Sequence, residues 1–462
     1  MLGFGTYSEK SINYFAIDDF IVKIYDFTVL GGGWAGLLCG YELSKKFPQS
    51  HITILEASNF SHIGGLLESE NINGFTFDIG GPHILFSKNM KILNQIVEFL
   101  GDNVQKIERR AFVYFQNRRV PYPFENGIYT LEPNLRAEIG KDIISSMLRN
   151  AKNPDWIPTT FKDWIYGFFG NAMGSQYLEP YNRKIWKMDP DKMDSSWVFS
   201  PGRLPFPILE DIILSIAGIA STGYREQQFF YYPKRGGIKA LYDSLLKKVV
   251  ARGVELITEF KVTKIVKDFD YWVINDNVRT KKVISTLPLV SIPQILRAPK
   301  EIHDLAEGLN YNRDVVVGIA LDKTSPNEHV LYVPSEEVIF HRLTWMSNLA
   351  GTPHPTQSNL IAETTIPAKE IPNLQQITDQ TIDGLIKMNI IDSRKEVLFS
   401  KTWLNEFGYP VYDYKHKEIR DKMFNFLDDL GIYSVGRWGS WHYWNTDRVY
   451  EAVLETINSI NG

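Results

Sequence analysis

The sequence predicts an α/β protein in which a mostly parallel-sheet domain is interrupted along the chain by an α+β domain. Three observations lead there. A short apolar run, Asp26 to Leu30, ends in the series Gly31-x-Gly33-x-x-Gly36 and opens a helix, Leu37 to Lys46. A second run, Ile52 to Leu55, ends at Glu56, 20 residues beyond Gly36. A further glycine-bearing strand followed by a helix start lies about 400 residues later, at Gly436 and Asn445.

Each part of the first motif has a physical task. Gly31 permits a tight turn, Gly33 lets a pyrophosphate approach the backbone, and Gly36 lets the helix pack closely on the strand. The helix opening at Trp34 and Ala35 offers free N–H groups and about half a positive charge to an anion. Glu56 is placed to accept both hydroxyls of an adenosine ribose, which favours an unphosphorylated ribose and hence FAD or NAD over NADP. These features define a Rossmann-type dinucleotide-binding domain. One elongated cofactor needs the glycine motifs at both ends of the chain, so the domain is expected to be discontinuous.

Composition bounds the rest. A chain of 462 residues suggests two or three units of about 150. Its hydrophobic share of 44% and charged share of 23% are those of a globular protein. A net charge of -4 gives no basis for binding nucleic acid or an anionic membrane surface. Aromatics reach 13%, which suits core packing and also a wall around a flat heterocycle. The lone Cys39 excludes an internal disulfide, and with no secretory signal pattern near the start it points to a reducing, cytoplasmic setting. It reads as core packing in the first helix. No apolar run reaches the length of a membrane span; the most apolar stretch, Ile208 to Ala220, is short and carries Glu210 and Asp211. The nine histidines show no metal-ligand spacing, so no metal is expected. Residues 1–25 read as an extra strand or an extension.

FAD is preferred to NAD because of two segments just past Glu56. Ile63-Gly64-Gly65-Leu66 and the segment Phe77-Asp78-Ile79-Gly80-Gly81-Pro82-His83 resemble the second glycine pair and the F-D-x-G-G-x-H segment of the amine-oxidase-like flavoproteins. That resemblance implies a glutathione-reductase-like FAD domain with a discontinuous α+β substrate domain. Leu66 stands where those proteins usually carry Arg or Asn, which removes one polar contact.

Further along, Met90 to Leu100 reads as an amphipathic helix and Ala111 to Phe115 as a strand. The proline-flanked run Arg118 to Asn126 reads as a fixed loop. Residues 130 to 225 look helical and aromatic-rich, as a cap. Within them Pro180-Tyr181-Asn182-Arg183-Lys184-Ile185-Trp186 through Met193 resembles the UDP-galactopyranose mutase-like branch, as do Val120 to Asn126 and Gly81-Pro82-His83-Ile84. Tyr232 to Gly237 resembles the family's return to the nucleotide domain. Gly253 to Leu256 and Lys261 to Ile265 read as strands, and the residue matching Val262 contacts adenine in the family. Lys282 to Pro288 closes that part, and Val315 to Leu321 opens another sheet. At the end, Gly436 and Arg437 match a strand that runs under the flavin. Asn445 and Thr446, the latter in place of the usual Met, match the helix start facing the ribityl and pyrophosphate. The expected division is an extension at 1–25, cofactor domain at 26–100, 229–298 and 426–462, a mainly helical cap at 101–228, and a β part of the substrate domain at 299–425.

The mutase-like resemblance implies that a reduced flavin forms an N5–sugar adduct while a nucleotide sugar passes between pyranose and furanose forms. His83 would sit near the flavin, with His83, Arg183 and Arg342 as candidate catalytic residues. Arg183, Arg203 and Arg342 are the candidate cations for a diphosphate. Tyr181, Asn182, Trp186, Tyr409 and Tyr412 would meet the substrate. Each arginine has an alternative as a surface ion pair, and His83 as a bracing core residue. The other reading is an FAD-dependent oxidoreductase of the amine oxidase, protoporphyrinogen oxidase or desaturase type, because the fold is shared. A flavin-fold protein without activity is a third. In every active reading the partner is a small molecule; a homo-oligomer is compatible with the sequence.

Overall fold

The computed structural model describes residues 23–199, 204, 206–221 and 223–461, so nearly all of the expected N-terminal extension lies outside the described residues. Two seven-stranded sheets organise it. In the first, Ile24–Leu30 lies parallel between Ile52–Leu55 and Val278–Ser285, and Glu255–Ile257 extends the edge beyond Ile52–Leu55. One edge of Val278–Ser285 is shared by two partners. Its first residues pair antiparallel with Tyr271–Ile274, and its last three pair parallel with Ile432–Ser434. All four residues of Ile52–Leu55 are buried, as parallel strands covered on both faces must be. The helices Trp34–Lys46, Lys239–Ala251 and Thr446–Ser459 share one core through Leu37, Leu43, Leu245 and Val453. Another core joins Leu30, Leu55 and Val283 to Ile419, Met423 and Leu427 of the helix His416–Asp429. Cys39 is fully buried, and burial pushes its thiol well above the usual range.

The second sheet runs Val397–Pro410, Tyr311–Leu321, Ser358–Pro367, Arg342–Trp345, Val330–Tyr332, Ala111–Phe115 and Arg118–Pro121. The two-residue period of a strand divides Tyr311–Leu321 between two cores. Val315, Val317 and Ile319 pack with Ile377, Ile382 and Leu385 of the helix Leu374–Lys387, whereas Val316 and Ala320 join the core of the first sheet. The helices Pro133–Lys152, Phe161–Met173, Glu179–Trp186 and Leu209–Ile216 contribute to an aromatic core that includes Phe161, Trp164, Trp186 and Trp197.

Two local expectations are corrected. The run Arg118 to Asn126 is not one loop: Arg118–Pro121 is an edge strand, and Pro123 caps the helical turn Phe124–Gly127. An edge strand tolerates Pro121, and a proline suits a helix start. Lys261 to Lys264 is not strand, because the Asn275 side chain takes its backbone groups. Asn275 Oδ1 accepts from Thr263 N and Lys264 N at 2.9 and 3.0 Å, and Nδ2 donates to Lys261 O at 2.8 Å.

Asp78 ties the returning chain to the first part of the cofactor domain. Its buried carboxylate accepts from Ser69 Oγ at 2.7 Å, Tyr232 OH at 2.7 Å and Ile238 N at 3.1 Å. Burial outweighs those bonds and pushes the carboxyl up to about 6. A raised folded-state value means that the stability linked to this proton is present in acid. It is lost as pH rises from about 4 through about 6, an effect on the order of 3 kcal/mol. Asp78→Asn is expected to flatten urea stability across that window, measured as the denaturation midpoint at half-unit pH steps.

Candidate active site

The glycine turn is built against its surroundings with little slack. Gly31 has φ +93°, and a Cβ on Gly36 would lie 1.9 Å from Gly31 O, so the first helix packs directly on the turn. Thr286 Oγ1 donates to Leu30 O at 2.8 Å and Tyr242 OH to Gly32 O at 2.6 Å, fixing the turn from the third strand and from a returning helix. Gly33 differs: a Cβ there would meet nothing within 4 Å. The helix it starts has no side-chain cap, which leaves its first N–H groups to an anion.

The far end of the chain closes on the same place. Trp34 Nε1 donates to Thr446 O at 3.1 Å. Gly436 has φ +98°, and a Cβ on it would lie 2.6 Å from Ala35 Cβ. The second glycine pair also arrives here, since a Cβ on Gly65 would be 3.6 Å from Gly33 Cα. Gly80 presses on Leu66, its Cβ position being 2.2 Å from Leu66 O. Glu56 Oε2 accepts from Gly32 N at 2.7 Å and Oε1 from Ser58 N at 2.8 Å, leaving lone pairs on both oxygens. The cradle fits the dinucleotide FAD: an open notch at Gly33 beside a helix N-terminus, and an acid at the end of the second strand.

Leu66, Gly80 and Thr446 border a cavity of about 490 Å³. One wall is Gly81, Pro82 and His83, with Arg437 and Asn445; another is Tyr181, Asn182 and Trp186; a third is Asp314, Arg342 and Tyr409. Arg342 is bound at Nε and Nη2 to the two oxygens of Glu363. Burial opposes its charge, yet Glu363 and the nearby Tyr409 hold it well above its ordinary value.

The sequence family described as an NAD(P)-binding Rossmann-like domain matches residues 29–100. Among solved structures, reduced UDP-galactopyranose mutase aligns with a TM-score of 0.83 at 24% identity, over 94% of this chain and 93% of that one. A protein assigned as a protoporphyrinogen oxidase, from Exiguobacterium sp. 255-15, aligns with a TM-score of 0.71 at 18% identity, over 94% and 98%. The fold is that of the amine-oxidase-like flavoproteins. Among curated proteins, coproporphyrinogen III oxidase of Staphylococcus aureus (strain NCTC 8325 / PS 47) is 22% identical over 266 residues. That match takes in 52% of this chain and 56% of the enzyme, so the chain spans little more than half the length of the curated relative it matches.

Within this fold most of the expected site residues fall into three groups. Gly31, Gly33, Trp34, Ala35, Gly36, Gly64, Gly65 and Gly436 lie around the turn, with Glu56 at its edge. Val262 is a buried member of the core that includes Leu55. Leu66, His83, Arg437, Asn445 and Thr446 line the cavity together with Tyr181, Asn182, Trp186, Arg342 and Tyr409. Trp186 Nε1 donates to Asn182 Oδ1 at 3.1 Å, so Asn182 supports the indole as well as the wall.

Arg183, Tyr412 and Arg203 stand apart. Arg183 is corrected: it is 43% exposed and pairs with Glu179 and Asp189. Residues 181, 182, 185 and 186 of its helix face the cavity, and helical spacing turns position 183 away. Arg183→Ala is therefore expected to leave ligand affinity within about twofold and to cost no more than about 1 kcal/mol, measured by titration and urea denaturation. Tyr412 is corrected as a direct substrate contact: it lies behind the wall, stacked on Trp197, and its hydroxyl accepts from Tyr443 N at 2.6 Å. Arg203 lies outside the described residues.

The cavity adds residues that sequence reasoning missed. Arg109, Asp314, Tyr332, His341 and Tyr443 all line it. Arg109 Nη1 donates to Gln227 Oε1 at 2.7 Å and Nη2 to Tyr332 OH at 2.9 Å, with its guanidinium 4.8 Å from the Tyr122 ring centre. Only the position of Arg109 just before the strand Ala111 to Phe115 marked it in the sequence. Burial, then Arg342 and two lysines, holds His341 well below its ordinary value, so it is neutral.

Proposed function

We propose that the protein is an FAD-dependent enzyme that interconverts the pyranose and furanose forms of a nucleotide sugar. The observation that carries this reading is an arginine held for an anion at the wall of the cavity, which Leu66, Gly80 and Thr446 also line. Arg109 has no carboxylate partner among the described residues. Gln227 and Tyr332 fix its fork, which leaves N–H groups for a diphosphate. Arg342, by contrast, is committed to Glu363 and contributes shape and field. Tyr181, Tyr332, Tyr409 and Tyr443 bring hydroxyls to the cavity, and Trp186 offers a flat indole for stacking. FAD, when bound and reduced, would supply a nucleophilic ring nitrogen. The chain itself binds, orients and excludes water. The likeness to UDP-galactopyranose mutase supports the same reading.

A second reading, an FAD-dependent oxidoreductase of the protoporphyrinogen-oxidase type, is favoured by the apolar part of the cavity. Trp164, Phe169, Met173 and Leu204 line it there, and the similar coproporphyrinogen III oxidase acts, by its name, on a large macrocycle. One experiment separates the two. Reduced holoenzyme is given UDP-galactofuranose under anaerobic conditions, and oxidised holoenzyme is given coproporphyrinogen III in air. Formation of the pyranose is the expected result. Oxygen uptake with the porphyrinogen and no ring conversion would replace the mutase reading with the oxidase.

A further inference from the structure

Asp314 is a carboxyl group on the cavity wall with no ion-pair partner and an unpaired Oδ1 among the described residues. It is 3% exposed. Its Oδ1 is sealed from solvent and has no hydrogen-bond partner, and no described residue forms an ion pair with it. It sits in Tyr311–Leu321 where the register against Val397–Pro410 shifts between Asn312 and Asp314. Gly408, in the stretch of the partner strand where that shift falls, lies against it: a Cβ there would come within 2.7 Å of Asp314 Cβ, so the close approach depends on glycine.

The charged neighbours do not satisfy it. Arg342, on the strand Arg342–Trp345, is taken by Glu363 of Ser358–Pro367. Arg437, after the strand Ile432–Ser434, donates to Gly408 O. Tyr409 completes the surroundings from Val397–Pro410. A buried polar group left without a partner destabilises the fold, and native structures retain few. Burial, then Glu363, pushes the carboxyl well above the usual carboxylate range, with Arg342 and Arg437 opposing in part. A carboxyl group accepts a hydrogen bond at either oxygen and, when it carries its proton, pairs one O–H donor with an acceptor oxygen. That pair is the complement of an alcohol.

Resting on the cavity as the substrate site, we propose that Asp314 is a specificity-determining residue that hydrogen-bonds a hydroxyl of a polyhydroxylated substrate. Asp314→Val removes the pair and Asp314→Asn keeps its shape and its hydrogen-bonding capacity. Both are prepared as holoenzyme, and melting temperature is measured without ligand alongside the dissociation constants of UDP-galactose and UDP. The expected result is that Asp314→Val melts at or above the wild-type temperature. It should bind UDP-galactose about 10- to 100-fold more weakly with UDP unchanged, while Asp314→Asn stays within a few-fold for both. Lower melting of both variants, or an unchanged ratio of UDP-galactose to UDP affinity in Asp314→Val, would make the residue structural and overturn the assignment. If wild-type protein binds neither compound, the nucleotide-sugar reading fails separately. Melting then decides for Asp314 alone: Asp314→Val at or above wild type keeps it as a group held for a ligand, and a fall overturns it.

Discussion

Gly33→Val is expected to give folded, colourless protein. The Cβ position of Gly33 points into open space, so the added side chain meets no protein atom and fills only the notch beside the helix N-terminus. A loss of at least about 3 kcal/mol in FAD affinity, roughly 100-fold, is the expected scale. Gly36→Val is the contrasting variant, because its Cβ would lie 1.9 Å from a backbone oxygen and the first helix would have to leave the sheet. Circular dichroism should show native structure in the Gly33 variant and its loss in the Gly36 variant. Visible absorbance should show flavin in neither. A yellow Gly33→Val protein would sink the cradle assignment.

The other large effect concerns the buried ion pair in the cavity wall. Arg342→Ala is expected to cost about 3–5 kcal/mol, because it leaves the buried Glu363 without its cation partner. Glu363→Ala should cost less, since Asp314 lies near enough in the field of Arg342 to take over part of its compensation. The paired change Arg342→Met with Glu363→Leu should recover most of the stability, as apolar replacements of buried pairs often do. Urea denaturation of the four proteins at neutral pH reads the order directly. Equal costs for the two single substitutions would show that Asp314 does not respond to Arg342.

The cofactor domain was legible in the sequence because its signals are local. Gly31 to Gly36 and Ile52 to Glu56 are single turns and short strands whose spacing carries the geometry. The helix bearing Tyr181, Asn182 and Trp186 was also found, but its face was not. Arg183 sits next to Asn182 and two residues from Tyr181 and Ile185, and only the direction of the helix excludes it. Of the polar wall, Arg342 and Tyr409 were named from the sequence, but not Arg109 or Asp314, nor the partners that hold the arginines. Arg109 depends on Gln227 and Tyr332, which are 118 and 223 residues away. Arg342 meets Glu363 only because their strands are neighbours in register. Asp314 looks in sequence like any acid at the start of a strand, and its isolation exists only once Gly408 is packed against it. The Lys261 to Lys264 error has the same origin, a remote asparagine that outcompetes a sheet edge for backbone bonds.

The strand Val278–Ser285 is flanked by one strand from each end of the polypeptide. A ribosome adding about 5–20 residues per second reaches Ile432 roughly 20–80 s after it has finished Ile24–Leu30. During that interval the nascent domain has an open seam, and Trp34 and Ala35 lack the floor that Thr446 and Gly436 later provide. The surroundings of the Gly33 notch are thus complete only after residues 432–446 have been made.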